Sequence, residues 1–354
     1  MAKYELKGKP WLIPGARNVS DCKTSKEVMD KAGLDFTVDK CELVAKMPVN
    51  MNNTDRMLDD MNDNLAFAHN GNIYRDCPNA FATFRTDENI PLGIVKSRYE
   101  IVQNRDAFNF FDAAIGENEA IWQTAGFFGD GERIFVTAKL PDFIKVKKDL
   151  IENYLVFANS HDGSSGVNIL FTPIRVVCQN TLNAAIRKAD CFVRFRHTAN
   201  VHDNIKRAHE VLGIVKTQME DISDTFNFLA DKPMTDNQVK DFIAKTYLDN
   251  GKYIAITEYD KKYGLDKIFR LDTNAMEATG IKTRGANILK KTYEYYHEGF
   301  GQKEFEGTAY GAYNAITGYY ANIDNSTGED KMKSVLYGRT MDITSQALQN
   351  AINY

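Results

Sequence analysis

The side chains with the clearest capacity for chemistry lie in one basic, polar segment, residues 159–197. Within it, polar side chains recur every four residues, a spacing that places them on one face of a helix. They are Arg175, Gln179, Asn183 and Arg187. A row of guanidinium and amide groups can donate many hydrogen bonds to phosphate oxygens. The spacing predicts a helix face that contacts nucleic-acid phosphates, although an ordinary solvent-facing helix would carry the same residue types.

Basic residues on two strand-like stretches extend this predicted contact surface. Arg194 and Arg196 alternate in CFVRFRHT, shortly after the helix-like stretch. Lys96, Arg98 and Tyr99 occur together in VKSRY, where a ring could stack on a base while the cations hold phosphates. We predict that these five residues also contact nucleic acid. A tyrosine at such a position can equally belong to the core of a sheet.

The polar stretch NSHDGSSG, residues 159–166, lies between two apolar strand-like runs. The backbone N–H groups of such a turn can surround an anion, so Asn159 and His161 join the predicted contacts, with a plain hairpin turn as the alternative. No GxxxxGK[ST] phosphate-binding loop occurs in the chain. Ser160, His161 and Asp162 have the composition of a catalytic triad. We reject that interpretation, because adjacent side chains on an extended chain point in opposite directions.

Ligand types for a metal are present, but their spacing fits no standard zinc pattern. The candidates are His197, His202, His209, Cys178 and Cys191. We therefore expect neither a metal nor another cofactor. Cys178 falls on the apolar side of the predicted helix, where a buried thiol is inert.

The charge distribution favours a localised anion-binding face. The chain carries a net charge of −4, whereas residues 133–216 hold 13 Lys and Arg against 7 Asp and Glu. A wholly basic nucleic-acid coat is excluded by the acidic total. No 18-residue apolar run or signal-peptide core is present, and the five cysteines form no CxxC pair. These features predict a cytoplasmic protein with reduced thiols and no membrane contact.

The patterning predicts an α+β fold, with an antiparallel sheet and packed helices in the centre followed by a helical C-terminal region. A helix is expected over 25–33, a hairpin over 121–141 and a helix over 172–189, where Thr172 could cap and Pro173 could start it.

Three regions follow from these patterns. They are a mixed N-terminal region (1–90), a central domain with the basic face (91–232) and a helical, Tyr-rich region (233–354). The C-terminal tyrosines, in KKTYEYYHEGF and TAYGAYNAITGYY, are expected in the core or at a subunit contact.

Several of these stretches carry a family resemblance. LGIVKSRYEIVQN, FANSHDGSSG, FTPIRVVCQNTLN, FRHTAN and GTAYGAYNAITGYYAN resemble the phage/plasmid-like family catalogued as domain of unknown function 932, over roughly residues 90 to 325. The resemblance implies a cytoplasmic bacterial protein acting on or around the DNA of mobile elements, often beside replication and recombination functions. In element order alone the chain also resembles ring-forming single-strand annealing proteins of phages, and no binding residue is carried over from them.

Three functions stay open on the sequence. The leading hypothesis is a non-enzymatic phage or plasmid protein that binds single-stranded DNA through the basic face, for annealing or recombination. The second is an enzyme acting on nucleic acid or nucleotides, with His161, Asp162 and Cys178 as catalytic groups. The third is a phage-encoded interaction protein that inhibits a host defence complex through a host protein partner. A homo-oligomer is compatible with each, and DNA is not distinguished from RNA.

Overall fold

The structure, a computed structural model, describes residues 9, 11–47, 59, 66–70, 72–106, 108, 120–177, 192–198, 200 and 208–354. Several sequence predictions fall outside these ranges. They concern Cys178, Gln179, Asn183, Arg187, Cys191 and His202.

Six antiparallel strands form the larger sheet, called sheet A. In spatial order they are β1 (Arg17–Asn18), β6 (Ile121–Phe128), β7 (Arg133–Val146), β8 (Asp149–Ser160), β9 (Val167–Arg175) and β10 (Phe192–Phe195). The hairpin predicted over 121–141 is confirmed by the pairing of β6 with β7. Gly129 and Gly131 in its turn have φ values of 57° and 111°, which glycine adopts without strain.

Four strands form the smaller sheet B. They are β2 (Val38–Met47), β3 (Ala66–His69), β4 (Asn72–Arg85) and β5 (Pro91–Lys96). The long strand β4 pairs along its length with β2, and on its other side with β3 at one end and β5 at the other. Sheet B therefore carries β5 at the end of β4 that leads into the rest of the molecule.

In chain order one helix lies between β1 and β2, and the other helices named here follow β10. They are α1 (Ser25–Ala32), α2 (Ala208–Asp231), α3 (Asp236–Tyr247), α4 (Asn250–Tyr263), α5 (Asp266–Phe269), α6 (Thr273–Thr279), α7 (Thr283–Glu298), α8 (Ala309–Gly318), α9 (Gly328–Tyr337) and α10 (Arg339–Asn353). The α+β class with a helical C-terminal region is confirmed. The helix expected over 25–33 is also confirmed, with Thr24 as its N-cap and Gly33 ending it at φ 68°.

Alternating side chains of sheet A are buried on both of its faces. On β8, Leu155 and Phe157 join the large core shared with the C-terminal helices, whereas Tyr154 and Val156 join a second cluster with Trp11. The predicted core role is confirmed for four C-terminal tyrosines of α7 and α8 that are fully or almost fully buried, Tyr295, Tyr296, Tyr310 and Tyr313. Tyr293 of α7 is only partly buried. The domain division near 232 stays a prediction, while the large core runs across it.

The helix predicted over 172–189 is wrong at its start, because β9 continues through Arg175. Pairing with β8 extends to Ile151 opposite Arg175. Beyond Leu170, β9 has no partner on its other side among the described residues, and such an edge tolerates Pro173. Thr172 and Pro173 have the residue types of a helix start, but the hydrogen-bonded pairing of β9 with β8 determines the structure of these residues.

Candidate functional site

A cleft of about 670 Å³ opens where sheets A and B meet. One wall is the end of β5 and the residues that follow it, 94–96, 98 and 99. The second is the turn between β8 and β9, 163–166, and the third is the segment directly after β10, 196–198. Three of the sequence stretches with the family resemblance therefore converge on one place.

Glycines allow the two sheets to approach closely at this cleft. A Cβ atom on Gly93 would lie 2.4 Å from the Cα atom of Asp162, so β5 touches the turn backbone to backbone. Gly163 has a φ of +74°, and a Cβ atom there would lie 2.9 Å from a methyl group of Val95. A glycine inside a strand signals such an approach, and Gly93 could have been singled out from the sequence on that ground.

Tyr99 and His197 both line the cleft, and their side chains pack against each other. Their rings stack with centroids 4.5 Å apart and an interplanar angle of 18°. The Tyr99 hydroxyl donates to the carbonyl oxygen of Ser160 (2.7 Å), and His197 Nδ1 donates to that of Glu100 (2.9 Å). Burial raises the pKa of Tyr99, so its phenol stays neutral. One face of the Tyr99 ring is therefore occupied by His197.

Asp162 is held by donors on the turn and on β7. Ser160 Oγ donates to Oδ1 (2.6 Å), the Ser164 N–H donates to the same oxygen (2.9 Å), and Arg133 Nη2 pairs with Oδ2 (3.1 Å). Burial alone would raise the pKa of Asp162, but these hydrogen bonds and the Arg133 charge hold it below its usual value.

The same contacts correct the expectation that backbone N–H groups of the turn surround an anion. The N–H of Ser164 is directed to Asp162, and that of Ser165 to Ser160 Oγ (3.1 Å).

His161 points away from the cleft and is completely buried. Its Nε2 donates to Asn104 Oδ1 (2.9 Å), and burial lowers its pKa to about 3, so the ring is neutral. As expected for consecutive residues of an extended chain, Ser160 and Asp162 share one side of the chain and His161 occupies the other. Asn159 is also buried, donating to the Val102 carbonyl oxygen (3.0 Å). The prediction that Asn159 and His161 contact nucleic acid is therefore corrected, since neither side chain reaches the surface.

Arg175 requires the same correction, because only 1% of it is exposed. Its guanidinium forms an ion pair with Asp149, which also accepts from the Tyr310 hydroxyl (3.2 Å). Arg175 Nη2 donates to the Gly301 carbonyl oxygen (3.3 Å), and the guanidinium lies against the Phe305 ring. Arg175 thus connects sheet A to the C-terminal helices instead of facing a ligand.

The cations that line the cleft have no counter-charge among the described residues. Lys96, Arg98 and Arg196 are exposed and form no salt bridge or side-chain hydrogen bond there. Neighbouring cations of sheet A differ, because Arg133 pairs with Asp162 and Lys139 pairs with Glu152 (2.8 Å). The cleft concentrates positive charge that the described fold does not neutralise.

The structure thus brings together four of the predicted contacts, Lys96, Arg98, Tyr99 and Arg196. Arg194 lies in β10 opposite Asn168, and only its backbone position is described. Sequence reasoning missed Ile94, whose side chain is 64% exposed in the cleft wall. Its spacing of two from Lys96 on a strand was the available signal, since both then lie on one face.

Within the described residue ranges, no group of three or more His, Cys, Asp or Glu side chains is arranged to hold a metal ion. None of the helices in those ranges combines the length and apolar character that crossing a bilayer requires.

Comparison with known proteins identifies the chain at the level of its family. No curated protein and no solved structure matches it. A family model described as a domain of unknown function, DUF932, matches residues 91–342, which include all three walls of the cleft. The match covers more than half of the 354 residues, and the protein therefore belongs to the DUF932 family.

Proposed function

We propose that the cleft binds single-stranded nucleic acid, with DNA favoured, and that Lys96, Arg98 and Arg196 contact its phosphates. The observation that carries this proposal is the grouping of three exposed, unpaired cations around one concavity. Phosphate contacts from Lys and Arg supply most of the affinity of nucleic-acid binding without sequence preference. A protein cation that already has a carboxylate partner contributes less, which is why Arg133 is not included.

The dimensions of the cleft favour an unpaired strand. A volume of about 670 Å³ is typical of a site for a compact ligand, such as a nucleotide unit. In a duplex the bases are paired and stacked, whereas an unpaired strand can turn an individual nucleotide into a pocket. The exposed Ile94 side chain offers an apolar contact for a sugar or base.

The titratable groups beside the cleft support binding over acid–base catalysis. The Asp162 carboxylate is already engaged by Ser160, Ser164 and Arg133. His161 is neutral and directed into the interior, so it cannot reach a ligand in the cleft. These contacts support a structural role for the NSHDGS turn, which forms the cleft wall between sheets A and B.

The direct test is fluorescence anisotropy with a labelled oligodeoxynucleotide at low salt. We expect wild type to bind and K96A/R98A/R196A to bind at least roughly tenfold more weakly, because three phosphate contacts are lost. The matched control is K252A/K261A/R270A, which removes the same charge from exposed side chains of the helical region. Equal weakening in both variants would mean that overall charge, not the cleft, governs binding.

Wider roles belong to the same proposal. We infer that the protein acts in the bacterial cytoplasm on phage or plasmid DNA, and that it anneals strands or assists recombination, as a monomer or homo-oligomer. Annealing of two complementary labelled strands, compared with the triple cleft variant, tests this. The alternative of an inhibitor of a host defence complex predicts no binding of oligonucleotide by wild type.

A further inference from the structure

The far end of sheet B forms an arm that lies outside the packed core. We define this β-arm by residues 44–47 of β2, 66–69 of β3 and 72–76 of β4. None of its side chains belongs to, or packs against, either hydrophobic cluster of the described structure. Its exposed groups are therefore not explained by a role in the core.

One face of the β-arm carries two aromatic rings and a cation in a row across three strands. Tyr74 of β4 lies directly opposite Lys46 of β2 on one side and Phe67 of β3 on the other. Residues directly opposite one another in a sheet point to the same face. The Phe67 and Tyr74 rings are nearly parallel, at 14°, with centroids 5.2 Å apart.

These side chains are open to solvent. Phe67 is 47% exposed, and Lys46 is exposed with no salt bridge or hydrogen bond among the described residues. The carboxylate placed on this face by the register is Asp76, which lies opposite Val44 and not beside Phe67. Contact between the two rings stabilises the β-arm without any ligand. That role requires neither a solvent-exposed ring nor a neighbouring ammonium group without a counter-charge.

We propose that this face is a stacking platform for an unpaired nucleobase, with Lys46 contacting an adjacent phosphate. The inference rests on the proposed function and assigns a second contact point to the same ligand. Every base offers a π-face to an aromatic ring, and interleaved aromatic and basic groups on strands bind single strands without sequence preference. A nucleic-acid strand is favoured over a protein partner because the aromatic pair is accompanied by an unneutralised cation.

The test separates base stacking from phosphate binding. Anisotropy is measured with a 30-residue oligodeoxythymidylate and with an abasic strand of the same length, for wild type and for Phe67→Leu. Leucine keeps an apolar side chain but removes the ring. The control is Phe143→Leu, because Phe143 is 48% exposed on a strand of sheet A. We expect Phe67→Leu to weaken binding of the thymidylate roughly five- to hundredfold, with the abasic strand and the control unchanged.

A second measurement does not depend on a variant. Wild type is photo-crosslinked to a strand containing 5-iododeoxyuridine, and the modified peptides are identified by mass spectrometry. Attachment at Phe67 or Tyr74 supports the platform. The inference is overturned if Phe67→Leu binds the thymidylate strand as tightly as wild type does. It is also overturned if the substitution weakens binding of the thymidylate strand and of the abasic strand equally. If wild type binds neither strand, both the inference and the proposed function fail. If K96A/R98A/R196A loses binding but Phe67→Leu does not, the inference fails and the proposed function is retained.

Discussion

At the scale of single residues, His161 and Asp162 show how neighbours in sequence can have opposite environments. Asp162 faces the turn, where hydrogen bonds and Arg133 stabilise its charge. His161 faces the interior, where burial disfavours its charge. The sequence could predict this separation, since consecutive strand residues point to opposite sides. It could not predict that Asn104, 57 positions away, accepts the hydrogen bond of His161.

The buried imidazole predicts a pH dependence of stability. The pKa of His161 is 6.5 in the unfolded chain and about 3 in the folded protein. Between these values the unfolded state binds the extra proton, so the free energy of unfolding falls as pH decreases from about 6.5. We expect the His161→Gln variant to lose less stability than wild type between pH 7 and pH 4.5, measured by urea denaturation. Parallel pH profiles for the two proteins would show that His161 titrates normally in the folded state.

At the scale of elements, strands were predictable where alternation is strong and the pairing is local. The β6–β7 hairpin is the clearest case, because both strands and their Gly-containing turn are contiguous. The sequence could not show that residue 172 lies in a strand and not at a helix start. Thr172 and Pro173 have the residue types of a helix start, but they pair with β8. Burial of Arg175 likewise depends on Asp149, which reaches it only through that pairing.

The contact between β5 and the β8–β9 turn predicts a sensitive position at Gly93. A methyl group there would collide with the backbone of Asp162, which cannot move aside as a flexible side chain could. We expect Gly93→Ala to lower the free energy of unfolding by about 1–3 kcal/mol and to weaken oligonucleotide binding, since the cleft walls must separate. Urea denaturation and anisotropy measure the two effects.

Gly285→Ala is the matched control for this position. Gly285 lies in α7, and a Cβ atom there meets only the Ile281 side chain at 3.5 Å. Alanine favours a helix over glycine, so the control should keep or gain stability and bind normally. Wild-type behaviour of Gly93→Ala would mean that the two sheets are not in such close contact.

At the scale of the whole molecule, net charge alone could not locate the site. The excess of Lys and Arg in residues 133–216 overstates the free charge, because Arg133, Lys139 and Arg175 are neutralised by local carboxylates. Two of the three unpaired cations, Lys96 and Arg98, lie outside that stretch and meet Arg196 only in the folded protein. The sequence thus supplied the residue types, whereas pairing across the sheets decides which of them are available to a ligand.

The salt dependence of binding tests the central claim most directly. The affinity for one labelled single strand is measured for wild type and K96A/R98A/R196A over a range of salt concentrations. Each phosphate contact contributes a slope of about −0.7 for a single strand in a plot of log affinity against log salt. We predict that the triple variant has a slope about 2 smaller in magnitude than wild type. Identical slopes, or no binding of wild type at low salt, would contradict the assignment of the cleft as a phosphate-binding site.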